Sequence, residues 1–285
     1  MSISPPTDTM RPFFSYGIFQ PGELGFLQIQ GQADRWTPDS VSGCLRIRDG
    51  LPILDRTGHN SVEGFLLEFA PGREDDAYTK IADMEPQRQY YWKKLTCSDS
   101  GVEANCLVGR QPLRGSVEWN EPKWSGRDDP LFKEALAIVG NTIRRRQGRP
   151  DSIYGMFRIE MAYMLLWSSI ERYVSLRYNL AGEQAEKKVE KIVEEESFRD
   201  ALRLVGPHSF SVYRADDPDT RETLDPEDPV KTIRYYYQLR CNLVHRGKSA
   251  WQDNERLKTA LGELFAIYKI ALTSAFRESE GNGPR

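Results

Sequence analysis

"QPLRGSVEWNEPKWSGRDDP", residues 111 to 130, separates two differently patterned halves of the chain. It holds three prolines and no sustained hydrophobic period, which is the composition of a connection rather than of a helix or strand. On its N-terminal side the apolar residues come in short runs broken by Gly, Pro and Asp: FFSYGIF, GFLQIQG, SGCLRIRDG, LPILDR, VEGFLLEFA, YYWKKLTC and ANCLVGR. Runs bounded in this way read as strands. A charged stretch at 72 to 86, GREDDAYTKIADMEP, predicts one short helix stopped at Pro86. From Leu131 onward the period becomes helical, through LFKEALAIVGNTIRRR, MFRIEMAYMLLWSSIERYVSLRYNL, GEQAEKKVEKIVEEESFRDALRLV, PVKTIRYYYQLRCNLVHR and WQDNERLKTALGELFAIYKIALTSAF. The expected layout is an α+β domain built mainly on a sheet over 11–110, a linker over 111–130, and an all-α bundle of about five helices over 131–278. The closing RESEGNGPR is expected to be disordered.

A chain of 285 residues accommodates two domains of ordinary size. The start, MSISPPTDTMRP, has no apolar segment behind a basic one, and no later run is read as a charge-free membrane span, so a cytoplasmic protein is expected. Cys44, Cys97, Cys106 and Cys241 lack paired spacing and flanking histidines, which argues against a zinc site or a disulfide framework. Residues 1–125 hold 13 Lys+Arg against 17 Asp+Glu, and the remainder 26 against 25, so neither half has the basic excess of a general nucleic-acid binder. Positive charge is concentrated in IRRRQGR, where Arg144, Arg145, Arg146 and Arg149 are the candidate RNA contacts. The competing reading is a solvated helix end whose cations face the negative pole of the dipole.

"YYYQLRCNLVHRG", residues 235 to 247, carries chemistry of another kind. Arg240 and His245 stand five residues apart, about 140° around a regular helix, so they share a pocket only if the helix frays near Gly247. Cleavage of RNA by its own 2′-hydroxyl needs a proton acceptor, charge stabilisation at phosphorus and a proton donor. Histidine titrates in the right range and a guanidinium forks onto phosphate oxygens, so no metal is required. One Arg and one His are too few for all three tasks, and a symmetric dimer supplies two of each. In the alternative, Arg240 pairs with a local acid and His245 is a cation at the helix end.

YYYQLRCNLVHRGK, following the apolar helix with LLWSSIERYVSLRY, resembles the HEPN family of helical domains found in prokaryotic toxins and antiviral ribonucleases. The family's Arg, four to six residues, His motif falls on Arg240 and His245. The resemblance covers most of 131–278 and implies a homodimer formed through this bundle with RNA as partner. It also implies an acidic or polar side chain on the earlier long helix, for which Glu171 is the candidate and Ser168 the second. The residue after the arginine, usually polar in active members, is Cys241, and Asn242 stands one place later as a candidate RNA contact.

In the first half, FFSYGIFQPG, residues 13 to 22, runs a strand into Tyr-Gly and a Pro-Gly turn, where backbone amides can approach a carboxylate or carbonyl oxygen. Glu85, in IADMEPQRQYYWKKL, sits at the mouth of a later apolar run, where either Tyr90 and Tyr91 shield it and raise its pKa or it is a surface glutamate near Lys80 and Arg88. Together with VSGCLRI, GLPIL and VEGFLLEF, these segments resemble the gamma-glutamylcyclotransferase-like superfamily over nearly all of 11–110. The resemblance implies a loop of Tyr16, Gly17, Ile18 and Phe19, with Tyr90 nearby, that holds a γ-glutamyl-like ligand. It implies Glu85 as the base that frees the α-amine to close 5-oxoproline. Ile18 replaces the loop's usual hydroxyl residue, and Pro86 replaces the glycine after the acid.

Three functions are therefore expected in competition. One is a metal-independent endoribonuclease of the defence or toxin type, governed by a ligand-binding first domain. Another is a γ-glutamyl cyclotransferase dimerised by its helices, and the last is a non-enzymatic adaptor. None requires a cofactor, a metal or a membrane.

Overall fold

The computed structural model describes residues 2–146, 152–180, 182–214, 217, 219–246 and 254–280, with the side chains of Arg146, Ala185, Glu186, His245 and Arg246 outside that description. The chain divides into two units. The first comprises the residues up to Asp129 together with Leu176–Asn179 and those from Phe276 on, and the second Pro130–Ser175 with Leu180–Ala275.

The first unit is a mixed six-stranded sheet with two helices. Its strands are β1 (Phe13–Ser15), β2 (Ala33–Arg48), β3 (Leu51–Phe69), β4 (Tyr90–Thr96), β5 (Glu103–Gly109) and β6 (Val117–Trp119), in the order β4-β5-β1-β3-β2-β6. Only the β1–β5 pairing is parallel. The long hairpin β2–β3 is closed by Asp49 and Gly50, both at positive φ (53° and 81°), the two-residue turn whose twist matches that of its strands. Along it, Val41, Gly43 and Leu45 alternate into the core with Val62, Gly64 and Leu66. Gly64 is required by close approach, since a Cβ there would lie 2.3 Å from the Ser15 carbonyl oxygen.

Helix α2 (Glu74–Met84) lays Ala77, Tyr78, Ile81 and Ala82 on the sheet. The Tyr78 ring packs edge-on to Phe13 and Trp92 with centroids 6.3 and 5.4 Å away. GFLQIQG, expected as a strand, contains instead the short helix α1 (Phe26–Ile29), which buries Phe26 and Ile29 one turn apart. A four-residue apolar run fits both periods, and packing decided between them.

The 111–130 stretch, expected as a linker, is built into this unit. β6 pairs with β2, and Trp124 is 1 % exposed. Its prolines mark turns between packed pieces rather than a free connection. The last turns of two long helices also belong here: Gly22 N donates to the Ser279 carbonyl at 2.9 Å, and Arg127 pairs with Glu280 at 2.7 Å.

The second unit is helical: α3 (Glu134–Arg146), α4 (Ile153–Tyr178), α5 (Ala185–Ile192), α6 (Glu196–Val205), α7 (Pro229–Arg246) and α8 (Asn254–Glu280), with a small hairpin of β7 (Ser211–Tyr213) and β8 (Arg221–Thr223). The 182–205 sequence, expected as one helix, is two, because Glu195 leaves the helical conformation and its carboxylate accepts the Tyr173 hydroxyl at 2.6 Å. Helix α6 ends on Gly206 in the left-handed region. Buried tyrosines tie the bundle together: Tyr163 donates to the Tyr236 carbonyl at 2.6 Å and Tyr268 to that of Ser169 at 2.9 Å. Helix α8 is long and apolar enough to cross a membrane by length and composition, and half of that window is buried within the protein. It extends to Glu280, so Arg277–Glu280, expected to be disordered, are helical.

Candidate functional site

Each unit holds a candidate site. In the first, β1 ends at Ser15 and the chain turns through Tyr16–Phe19, while α2 ends at Glu85, whose extended backbone (φ −98°, ψ 123°) is what a following proline enforces. Loop and helix end meet across a cavity of about 30 Å³, which Pro52, Tyr90 and Leu107 help to close. Glu85 is 8 % exposed, and its carboxyl has no hydrogen-bond partner among the described residues. Burial alone pushes its pKa up to about 8.

The two phenols near this acid are already engaged. Tyr16 donates to the Leu107 carbonyl at 2.8 Å and accepts from Leu54 N at 3.2 Å, and Tyr90 donates to the Pro52 carbonyl at 3.1 Å. Their rings wall the cavity, while their hydroxyls brace the loop against β3 and β5. Tyr16 thus offers the cavity its ring and not its hydroxyl. By contrast, the amides of Gly17, Ile18 and Phe19 meet no acceptor among the described residues, although all three residues line the cavity. A side chain at Gly17 would bring its Cβ to 3.0 Å from Pro52, so glycine keeps the loop close to the cavity wall. The resulting site is a buried carboxyl, protonated at neutral pH and titrating near 8, beside backbone amides that meet no acceptor among the described residues. A cavity of this volume admits about one or two water-sized groups, so only the tip of a ligand, such as an oxygen acceptor, enters it as it stands.

Sequence reasoning overlooked Glu23 in the same unit. It is 5 % exposed, accepts from Gly126 N at 2.8 Å and Ser125 Oγ at 3.0 Å, and burial pushes its pKa up to about 7. It fixes the loop after Phe19 to the 122–128 segment, a contact 103 residues long in sequence that no local pattern announces.

In the second unit, α4 and α7 bring Glu171 and Arg240 together. Arg240 Nη2 donates to Glu171 Oε1 at 3.4 Å, and the guanidinium lies 5.6 Å from the centroid of the Tyr237 ring. Tyr237 is itself braced edge-on by Trp167 at 5.5 Å. Arg240 Nε is buried and finds no acceptor. Among the described residues Arg240 therefore spends one donor, over a long bond, and finds no partner for the rest of its fork. Ser168, the second candidate, donates to the Met164 carbonyl within its own helix.

Helix α7 continues through Arg246, so the expected fraying at His245 does not occur, and Arg240 and His245 sit on one continuous helix. The His245 side chain, Gly247 and Arg149 lie outside the described residues. Asn242, expected as an RNA contact, is 4 % exposed; its amide donates to the Tyr213 carbonyl at 2.7 Å, and its oxygen accepts from Gln238 at 2.8 Å. It holds the β7–β8 hairpin and is closed to a nucleic acid. Arg144 and Arg145 are exposed on the last turns of α3, Arg144 donating to Asn141 Oδ1 at 2.6 Å; the Arg146 side chain is outside the described set.

No protein-family model matches this chain, and no curated protein or solved structure matches it either.

Proposed function

We propose that the chain is a metal-independent endoribonuclease whose helical unit is HEPN-like, acts as a homodimer and is governed by a ligand-binding first unit. The observation that carries this reading is Arg240: a half-buried guanidinium, oriented by Glu171 and Tyr237, with a buried Nε–H that has no acceptor. The Nη donors that Glu171 leaves open are what a phosphate oxygen would take in a charge-assisted fork. Glu171 takes the positioning role in this reading, and His245, five residues on, moves the proton.

Because Arg240 and His245 diverge by about 140° on one helix, a single chain does not gather them around one phosphate; two chains facing each other can. The measurement is cleavage of a labelled single-stranded RNA in EDTA. His245→Ala and Arg240→Ala should each abolish it, and a wild-type protein that leaves RNA intact would end the proposal.

The first unit supports a second reading, a γ-glutamyl cyclotransferase, on a separate observation: the lone buried carboxyl of Glu85 beside the open amides of Gly17, Ile18 and Phe19. In that reaction the ionised Glu85 takes a proton from the substrate α-amine, the amine nitrogen attacks the γ-carbonyl while the amides hold the oxygen on which charge develops, and the γ-amide C–N bond then breaks as Glu85 returns its proton to the departing amine. Release of 5-oxoproline from a γ-glutamyl dipeptide, lost in Glu85→Gln, is the test. Binding without turnover would instead make the first unit the sensor of the ribonuclease reading.

A further inference from the structure

The α3–α4 face of the helical unit carries features that neither site uses. Between the two helices lies a groove of about 520 Å³ with Ile138, Met161 and Leu165 on its floor and Arg145 and Arg158 at its rim. Arg145 and Arg158 have no carboxylate partner among the described residues, although the chain has 42 acidic residues against 39 basic ones. Elsewhere in the unit Arg203 pairs with Asp200 and Arg234 with Glu190, while Arg144, Arg199 and Arg221, like the two groove arginines, meet no carboxylate among the described residues.

Beside the groove stand two aromatic rings in water. Tyr154 is 79 % and Phe157 60 % exposed, and Met161 and Ile138 are more than half exposed as well. On α4, Tyr154 lies one turn before Arg158, and Phe157 one turn before Met161, so these side chains share a face. A contiguous exposed apolar patch with a polar rim marks a binding surface.

We infer that this groove is a track for single-stranded RNA, with bases stacked on Tyr154 and Phe157 and phosphates held by Arg145 and Arg158. Aromatic platforms beside guanidiniums are what a single strand needs, because every base has a π-face and every linkage a negative charge. A second copy of the chain fits less well, since a two-fold contact through this face would bring unpaired arginines toward one another. The inference rests on the ribonuclease reading and adds where the strand runs, away from Arg240 in sequence and carried by residues of α3 and α4.

The test uses the full chain carrying His245→Ala, so that nothing is cut, and a fluorescein-labelled oligouridylate followed by anisotropy across a salt series. The double variant Arg145→Glu, Arg158→Glu should weaken binding at least about tenfold and lower the slope of log K against log salt by roughly 1.4, the share of two phosphate contacts on a single strand. Tyr154→Ala with Phe157→Ala should weaken it by about tenfold or more without changing that slope. Arg203→Glu, an exposed charge reversal elsewhere, should leave affinity unchanged.

Groove variants that bind oligouridylate like their parent overturn the inference. So does a groove variant that binds normally yet sediments as a smaller species, because the face would then be a protein interface. If the groove variants lose binding while wild-type protein never cuts, the groove stands and the ribonuclease reading falls. If wild-type protein cuts and the groove variants bind like their His245→Ala parent, the reverse holds.

Discussion

Arg240 donates to Glu171 at 3.4 Å across 69 residues of sequence, a bond long enough to position the guanidinium without saturating it. Arg240→Lys keeps the charge and loses the planar fork. If the fork steadies charge on a phosphate, single-turnover cleavage of labelled RNA should fall by about 10²–10³-fold in Arg240→Lys, the loss typical of one transition-state donor. Glu171→Gln should fall less. Equal rates for Arg240→Lys and wild type would remove Arg240 from the chemistry.

Glu85 and Glu23 make stability depend on pH in a stated direction. Their folded pKa values, about 8 and about 7, lie above the ordinary carboxylate value of 4.5, so the folded chain binds more protons than the unfolded one between those limits. Stability is then full below about pH 4.5 and declines as pH rises through 7 and 8, levelling off above. Glu85→Gln should raise the melting temperature at pH 8 and flatten the profile, the difference amounting to about a few kcal/mol. A variant that melts below wild type at pH 8 would show that the ionised carboxylate is stabilised by something the cavity does not display.

Asn242 serves the fold rather than RNA. Asn242→Ala removes the bonds to the Tyr213 carbonyl and from Gln238, which should lower unfolding stability by about 0.5–1.5 kcal/mol while leaving affinity for a single-stranded RNA unchanged. Anisotropy and denaturant titration on the same preparation separate the two. Lost affinity at full stability would restore Asn242 to the interface.

Trp124 tests whether 111–130 belongs to the first unit. With its side chain 1 % exposed, Trp124→Ala should cost about 3–5 kcal/mol and depress the melting of the sheet-bearing unit. A variant with unchanged melting would mean that the segment merely passes over the sheet.

The two-part layout was legible because strand and helix periods differ, and the change falls where the prolines cluster. The Asp49–Gly50 turn and the Pro86 stop were legible for the same reason: local chemistry dictates them. What sequence reading missed depended on distant partners. GFLQIQG became a helix because Phe26 and Ile29 found a core. Asn242 went inward because Tyr213 offered a carbonyl, and the 111–130 segment joined the sheet because β2 had an open edge. At the sites, residue types were foreseen better than their engagement. Glu171 meets Arg240 and Glu85 is buried, while the Tyr16 hydroxyl is spent on backbone and the open donors are loop amides, which one-letter code does not display.

Gly22 leans on the carbonyl of Ser279, and Arg127 on the carboxylate of Glu280. A ribosome that has completed every strand of the sheet has therefore not yet supplied the pieces that finish it, and must translate the whole helical bundle first. A nascent or prematurely terminated polypeptide that lacks the end of α8 would carry an unfinished first module.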